Sequence, residues 1–236
     1  MWGMNIFGGF SRAKWFVLNL KMISFLIKRG GDMKKVLIII VVILCVVAYP
    51  FHSMLIEVVT ATKAPVEDVR EGDVIFQISL SQQSPLIKMG TRSTITHCGV
   101  VVMKDGKPYV LETQKTLVLT PLEKFIARGK NGKYWHKRPK IDDIKIKYNS
   151  YLGKPYDLAF KFDNGKFYCS ELIYDVYHNQ LGIELCKPKT IDDYLILGTH
   201  HIPKIKRAMK KRGISMEQYA VAPVDVFNSK ELKFVK

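Results

Sequence analysis

The alternation of apolar and polar residues predicts a meander of short strands in the middle of the chain. Two β-rich segments, residues 98–103 and 108–112, flank an Asp-Gly pair, which is the preferred two-residue turn of a β-hairpin. Further strands are predicted at residues 74–79, 116–119 and 134–137. An antiparallel meander of this kind, with helices around it, is typical of an α+β domain.

Helical spacing of apolar residues predicts four helices around these strands. They are expected at residues 84–89, from residue 120 onward, at 141–152 and at 168–181. The second helix begins with Thr-Pro-Leu-Glu, so Thr120 is the expected N-cap and Pro121 the first helical residue. Gly153 and Gly182 are expected to end the third and fourth helices.

The N-terminal part of the chain has the pattern of an export signal. An unbroken apolar run at residues 36–48 follows Met33 and two lysines, as in a secretory signal peptide. We therefore predict that residues 33–64 form a signal peptide, cleaved after Ala61 or Ala64, or an uncleaved membrane anchor. Residues 1–32 are then read as an extension from a start codon chosen upstream in error, or as an amphipathic segment at the membrane surface.

The remaining residues, 65–236, are predicted to form one exported domain. This domain is expected to be periplasmic, or anchored to the membrane and facing the periplasm or the extracellular side. The chain has 236 residues, 47% of them hydrophobic, which is enough for a core, and its four cysteines are too few for a disulfide scaffold. The net charge is +16, and 29 basic against 19 acidic residues leave +10 on residues 65–236. Such charge favours contact with an anionic envelope surface. No nucleic-acid motif is present, so we expect no nucleic-acid partner.

A basic segment near the C-terminus has two interpretations. Residues 204–212 are rich in Lys and Arg, with Ile205 and Met209 interleaved among them. This pattern is that of a solvated helix face, or of an amphipathic helix that contacts a membrane or an anionic polymer. The neighbouring pair His200 and His201 lacks other metal-ligating residues at ligand spacing, so we predict no metal site there.

The register of the predicted hairpin places a histidine and a carboxylate on one face. With Asp105 and Gly106 as the two loop residues, Gly99 lies opposite Glu112, and side chains alternate between the faces. His97 is then a diagonal neighbour of Glu112, and Gly99 leaves the space between them open. A carboxylate that orients a histidine is half of a nucleophile–base–orienter triad.

Cys169 is the predicted nucleophile of this triad. It stands at the start of the 168–181 helix, where unpaired N–H groups and the helix dipole stabilise a thiolate. His97 is then the base, and Glu112 is the group that fixes the tautomer of His97.

The other three cysteines are excluded by their positions. Cys98 is adjacent to His97 in sequence but points to the opposite face of the strand. Cys186 lies in an apparent loop with no activating group nearby, and Cys45 belongs to the N-terminal apolar run.

Five motifs that follow one another through the domain carry a family resemblance. They are GDVIFQIS at 72–79, THCGVV at 96–101, PYVLE at 108–112, GKPYD at 153–157 and YCSEL at 168–172. Together they resemble the YiiX/YebB-like branch of the NlpC-type cysteine peptidases, over residues 70–228. The resemblance implies a circularly permuted papain-like fold, an antiparallel sheet packed on helices, in which the histidine precedes the cysteine. The family triad maps onto Cys169, His97 and Glu112.

The resemblance also implies residues that bind the substrate. Tyr156 matches a family tyrosine that lies near the active site, although a turn aromatic that packs on the core is an equal alternative. Gln77 and Tyr168 belong to the first and last motifs and are expected to bind substrate as well. No cofactor is expected.

The expected function is that of an exported cysteine hydrolase that cleaves an amide through an acyl-enzyme on Cys169, whose backbone N–H helps to bind the oxyanion. Family members include cell-wall peptide hydrolases and lipid acyl-transferring relatives, so a peptidoglycan peptide and an acyl lipid both remain as substrates. A polar open groove would favour the peptide, and a cleft lined by Phe and Leu the lipid. A non-enzymatic envelope-binding module on the same fold is the third alternative.

Overall fold

The computed structural model describes residue 37 and residues 56–64, 66–196 and 202–235. The predicted signal or anchor run lies outside these residues except for residue 37, and His200 and His201 lie outside them entirely. Among the described residues, no helix has the length and apolar character that crossing a membrane requires.

Six antiparallel strands form the central sheet, in the order β4-β3-β2-β1-β5-β8, and β6 pairs with β7 apart from it. The strands are β1 (Val74–Gln77), β2 (His97–Lys104), β3 (Lys107–Thr113), β4 (Leu117–Pro121), β5 (Tyr134–Pro139), β6 (Lys189–Thr190), β7 (Tyr219–Ala220) and β8 (Leu232–Phe234). The helices are α1 (Ser84–Thr91), α2 (Leu122–Arg128), α3 (Cys169–Asp175), α4 (Ile191–Ile196), α5 (Ile202–Lys211) and α6 (Pro223–Phe227). The antiparallel sheet with flanking helices, predicted from the sequence pattern, is confirmed.

The hairpin of β2 and β3 has the predicted register. Lys104 pairs with Lys107, and Val100 pairs with Leu111. The two loop residues, Asp105 and Gly106, have φ angles of 51° and 72°, which is the left-handed conformation that a type I′ turn requires at both positions.

Both faces of the sheet are buried, which sets where the helices pack. On one face, Val100 and Leu111 pack with Leu172 of α3. On the other, Val101 packs with Phe125 of α2. Consecutive residues of β2 point to opposite faces, so an unbroken apolar run covers both. The two helices therefore approach the start of β2 from opposite sides.

The segment predicted as a helix at residues 141–152 has no helix. Ile144 and Ile146 are both buried in the main core, as alternate residues of an extended chain can be. The N–H of Ile146 donates to Glu71 Oε1 over 2.7 Å. Ile144 fills the space beside Gly72, where a β-carbon would lie only 2.7 Å from its side chain. Tertiary packing of these two isoleucines outweighs the local helical pattern.

The predicted cap of the second helix is also wrong. Thr120 stays in β4, paired with Val110, and the helix begins two residues later at Leu122. The Thr120 hydroxyl donates to Glu112 over 2.6 Å instead of capping the helix. The helix predicted at 168–181 does form, as α3 followed by a turn of π-helix at Val176–Gln180.

Residues 56–64 pack on the domain, although the sequence pattern places them in the signal or anchor segment. The buried Glu57 carboxylate accepts hydrogen bonds from Ser93 Oγ over 2.6 Å and from the N–H and hydroxyl of Thr94 over 2.7 Å. The indole N–H of Trp135 donates to the Glu57 carbonyl over 2.8 Å. These contacts tie residues 56–64 to the loop before β2 and to β5.

The apolar residues of the basic C-terminal segment face inward. Ile205 and Met209 of α5 are 1% and 6% exposed and pack in a cluster with Leu86 of α1. Contact with a membrane through these two side chains is therefore excluded, because they are already buried. Of the basic residues, Lys206 pairs with Asp192 over 2.6 Å.

Candidate active site

The start of β2, the end of β3 and the start of α3 bring together the three residues of the predicted triad. His97 is the first residue of β2, Glu112 lies one residue before the end of β3, and Cys169 is the first residue of α3. The side chain of Glu112 is fully buried, that of His97 is 13% exposed, and Cys169 is 2% exposed. The triad thus lies at the bottom of a cleft.

His97 contacts both of its predicted partners. Its Nε2 lies 2.7 Å from Glu112 Oε2, so the diagonal relation inferred from the hairpin register is a direct hydrogen bond. A second side-chain hydrogen bond joins the imidazole to the thiol of Cys169. Because Nε2 is taken by Glu112, the Nδ1 edge of the ring is left for the thiol.

The electrostatics of the three residues favour a thiolate–imidazolium pair. Burial acts to lower the pKa of His97, but the hydrogen bonds and charges of Cys169 and Glu112 outweigh it and raise that pKa to about 9. A hydrogen bond with Cys98 and the contact with His97 hold the pKa of the Cys169 thiol well below its usual range, against the effect of burial. Around neutral pH the sulfur is therefore anionic and the ring cationic.

Glu112 is kept ionised by more donors than the sequence indicated. Burial acts to raise its pKa, but His97, Arg128 and Thr120 lower it to about 2. Arg128 Nη2 lies 2.6 Å from each carboxylate oxygen, and Gln114 Nε2 donates to Oε1 over 3.0 Å. Thr120 could have been found from the register of β3 and β4, since it is a diagonal neighbour of Glu112 across that pair. Nothing in the local sequence points to Arg128.

Helix α2 also holds the histidine ring. Phe125 stacks on His97 with ring centroids 5.6 Å apart and planes inclined by 25°. The guanidinium of Arg128, one turn further along, lies 5.7 Å from the centre of the Phe125 ring. Phe125 thus supports the ring of His97, and Arg128 holds the Glu112 carboxylate that orients this ring.

Cys98 lies closer to the site than strand alternation suggested. It points away from His97, as predicted, and is buried in the main core. That face is the one on which α3 packs, so the Cys98 side chain meets Cys169 and hydrogen-bonds to it. Burial and the charge on Cys169 raise the pKa of Cys98 well above its usual value, which leaves it a neutral S–H donor. Burial also raises the pKa of Cys186, to about 12.

The three residues expected to bind substrate occupy different places. Tyr156 lines the cleft together with His97 and Cys169. Gln77 does not line it: the residue is 1% exposed in β1, and its Oε1 lies against Gly129. The structure therefore places Gln77 inside the sheet and not in the wall of the cleft, where the sequence expectation put it.

Tyr168 is buried on the other side of the nucleophile. Its hydroxyl accepts a hydrogen bond from the N–H of Val221 over 3.1 Å, and its ring borders an apolar cavity rather than the cleft. Burial raises its pKa well above the usual value, so the hydroxyl is neutral.

A cleft and a cavity both border Cys169. The first is the cleft, which presents mostly apolar area but also carries polar and basic side chains in its walls, among them Ser79, Gln83, Gln114, Lys115 and Arg128. The second is a narrow cavity with almost wholly apolar walls, formed by Leu86, Ile87, Phe160, Tyr168, Met209 and Val221. The site therefore offers a cleft that carries polar groups and a cavity that carries almost none, both of which border the same sulfur.

An antiparallel sheet whose first long strand carries a histidine, followed much later by a cysteine at a helix start, defines the class of permuted papain-like thiol enzymes. A sequence model of the family described as "Permuted papain-like amidase enzyme, YaeF/YiiX, C92 family" matches residues 68–236, and the chain belongs to that family. The resemblance carried by the five motifs is thereby confirmed, and the protein is an amidase-like enzyme by family.

Two relatives from Escherichia coli are similar to this chain. The protein YiiX of strain K12 is 33% identical over 174 residues, which cover 70% of this chain and 84% of YiiX. The crystal structure described as that of metalloprotein yiiX from strain O157:H7 is similar with a TM-score of 0.63 and 34% identity, over 71% of this chain and 96% of that one.

The description of that relative as a metalloprotein calls for a test of the residues present here. In the part of this chain that the structure describes, no three or more His, Cys, Asp or Glu side chains are grouped so that they could hold a metal ion. Cys169 and Glu112 each interact with His97 instead. The described donor set therefore does not fit a metal.

Proposed function

We propose that the protein is an exported cysteine hydrolase that cleaves an amide, with Cys169 as nucleophile, His97 as acid and base, and Glu112 as the residue that orients His97. The observation that carries the proposal is the hydrogen-bonded series from Cys169 through His97 to Glu112 at the start of α3. In such a series the carboxylate fixes the ring and the ring fixes the charge of the sulfur.

The proposed reaction has two halves. The Cys169 thiolate attacks the carbonyl carbon, a C–S bond forms, and an electron pair moves to the oxygen. The intermediate collapses, the C–N bond breaks, and the imidazolium of His97 gives its proton to the leaving amine. A water that His97 deprotonates then attacks the thioester, and the C–S bond breaks to release the acid and the thiolate.

The oxyanion of both halves is stabilised by two donors. One is the backbone N–H of Cys169, which points out of the start of α3. The other is the hydroxyl of Tyr156, which lines the cleft beside Cys169. Burial and the charge of Cys169 raise the pKa of Tyr156, so its hydroxyl keeps the proton that a donor needs.

The test is the pH dependence of iodoacetamide labelling of the full chain, with site mapping by mass spectrometry. Cys169 should label quickly at pH 6, while Cys186, whose pKa is raised to about 12, serves as the internal control. His97→Ala and Glu112→Ala should slow the labelling of Cys169. Labelling of Cys169 only above pH 8, no faster than Cys186, would refute the nucleophile and favour a binding module.

The cleft is the part of the site that favours a peptide amide, such as a peptidoglycan peptide, as substrate. Its walls carry amide, hydroxyl and basic groups that suit a hydrated chain. Hydrolysis of cell-wall peptides by the full chain, lost in Cys169→Ala, is the expected result.

The apolar cavity favours a second candidate, an acyl lipid whose chain would lie beside Cys169. Gly90 of α1 borders this cavity, and a β-carbon at that position would meet nothing within 4 Å. Gly90→Leu should therefore fill the cavity, lower turnover of an acyl lipid and leave turnover of a cell-wall peptide unchanged. Equal turnover of both substrates by wild type and variant would argue against the lipid.

Export rests on the sequence of the N-terminal region, in which two lysines precede the apolar run at 36–48. The domain of residues 65–236, which has a net positive charge, would then lie outside the cytoplasm, against an anionic envelope surface. Fractionation of cells that express the full chain should find the protein in the periplasm or with the membrane. A wholly cytoplasmic protein would overturn this part of the proposal.

A further inference from the structure

The walls of the cleft carry two exposed basic side chains, those of Arg128 and Lys115. Within the described lining the one carboxylate is that of Glu112, which is fully buried. Its oxygens are occupied by hydrogen bonds from His97, Arg128, Thr120 and Gln114. A molecule that enters the cleft therefore meets positive charge from two walls.

Arg128 is held in place by one nitrogen and open at the others. Its Nη2 contacts both oxygens of Glu112 over 2.6 Å, and its guanidinium rests over the Phe125 ring. The side chain is still 43% exposed. Among the described residues Nε and Nη1 have no hydrogen-bond partner, so two of its three nitrogens remain for a ligand. A guanidinium already ordered in this way loses little entropy when it binds an anion.

The anion would lie close to the reacting bond. Arg128 contacts Glu112, Glu112 contacts His97 over 2.7 Å, and His97 hydrogen-bonds to Cys169. Only the side chains of Glu112 and His97 thus stand between Arg128 and the Cys169 sulfur. A carboxylate can accept a hydrogen bond from Nε or from Nη1 and is attracted by the charge of the guanidinium, so it is an anion that this group can bind at short range.

We infer that Arg128, with Lys115 on another wall, binds a carboxylate of the substrate, so that the amide cleaved at Cys169 carries a free carboxylate near the scissile bond. The substrate class is therefore an amide of an amino acid or peptide with that carboxylate unblocked. This inference rests on the proposed function, because it needs Cys169 as the nucleophile.

Iodoacetate and iodoacetamide test the inference without knowledge of the natural substrate. The two reagents alkylate a thiolate in the same way and differ chiefly by the carboxylate that iodoacetate carries. The ratio of their rate constants at Cys169 cancels any change in the fraction of thiolate, which both reagents share. The ratio therefore reports the attraction of the cleft for a carboxylate.

Four variants of the full chain complete the experiment. In Arg128→Gln the ratio of iodoacetate to iodoacetamide rates should fall about tenfold, and in Lys115→Gln by a smaller factor, because a nearby positive charge is lost. Arg128→Lys should keep part of the ratio because it keeps the charge but lacks the Nε and Nη1 donors. Lys124→Gln is the matched control: Lys124 lies on the same helix, is exposed and does not line the cleft, so its ratio should equal that of wild type.

The outcomes separate this inference from the function on which it rests. If both reagents label Cys169 quickly but the ratio is the same in wild type, Arg128→Gln and Lys115→Gln, the carboxylate site is overturned and the thiol hydrolase stands. An equal fall of the ratio in Lys124→Gln would show a diffuse field and would also overturn the site. If neither reagent labels Cys169 faster than Cys186, the proposed function fails and takes the inference with it.

Discussion

Cys169 has two hydrogen-bonding neighbours of different chemistry, and they affect its proton in different ways. His97 accepts the proton and then attracts the thiolate by its charge, while Cys98 remains protonated and donates an S–H bond. Only His97 can return a proton to the leaving group, because burial keeps Cys98 from ionising. At the residue scale, His97 therefore acts in the proposed reaction, while Cys98 only helps to stabilise the thiolate.

Replacement of Cys98 should make Cys169 less acidic. In Cys98→Ala the thiolate loses one hydrogen-bond donor, so the pH at which iodoacetamide labelling of Cys169 is half-maximal should rise by about one unit. Cys186→Ala, which removes a cysteine outside the triad, should leave the labelling curve of Cys169 where it is. An unchanged curve in Cys98→Ala would mean that the thiol–thiol contact does not stabilise the thiolate.

Loss of the Glu112 charge should lower the pKa of His97 from its value of about 9. In Glu112→Gln the imidazolium loses an opposite charge at 2.7 Å. The pKa of His97 should therefore fall by about one to three pH units. The titration of the His97 ring by NMR measures it directly. Hydrolysis needs the imidazolium, so the high-pH limit of activity should move down with that pKa. A His97 that titrates at the same pH in both proteins would contradict the assigned role of Glu112.

At the scale of the elements, the hairpin was predictable and the segment 141–152 was not. The hairpin depends on two local facts, an Asp-Gly pair that accepts positive φ and side chains that alternate along each strand. The segment 141–152 has a helical pattern, but its isoleucines fill gaps beside Gly72 and in the main core, and such gaps exist only in the folded domain. Thr120 is similar, since its hydroxyl meets Glu112 on the neighbouring strand.

The segment 56–64 should contribute to the stability of the domain. Glu57→Ala leaves the buried donors of Ser93 and Thr94 without their acceptor. The free energy of unfolding should therefore fall by about 3 kcal/mol. Urea denaturation of the full chain measures the change. Glu67→Ala, at an exposed position nearby, should change it by less than about 0.5 kcal/mol. Equal values for the two variants would show that the Glu57 contacts contribute little.

The same contacts bear on where a signal peptide would be cut. Cleavage after Ala61 or Ala64 would remove Glu57 from its buried site. We therefore expect the exported protein to keep residue 57, and N-terminal sequencing of the protein from the envelope fraction measures this. A first residue of 62 or 65 would mean that the domain folds stably without these contacts.

At the scale of the whole molecule, buried charges couple stability to pH. Glu112 has a folded-state pKa of about 2, below its ordinary value of 4.5. A depressed carboxyl pKa adds stability above the ordinary value, and that stability is lost as the pH falls from 4.5 through about 2. The contribution of this one group is roughly 3 kcal/mol at most. Asp73, buried between His136 and Arg138, has its pKa lowered as well and acts in the same direction.

The free energy of unfolding should therefore depend less on acid pH when Glu112 is made neutral. Glu112→Gln should be less stable than wild type at pH 6, and the difference between the two proteins should shrink by pH 3. Urea denaturation at the two pH values gives the comparison, with Glu123→Gln, at an exposed position on α2, as the control. A difference that stays constant with pH would show that Glu112 stabilises by packing and not by its charge.

The residues along the chain were enough to predict the antiparallel hairpin, the face shared by His97 and Glu112, the cysteine at a helix start and the family. Each of these depends on a motif or on local backbone geometry, which residues close together in the sequence determine. Only the tertiary structure decided that α3 packs on the Cys98 face and that Arg128 reaches Glu112 from α2. It also decided that Gln77 lies inside the sheet. These relations join residues far apart in the chain, and they follow from how helices fill the two faces of one sheet, which no short pattern encodes.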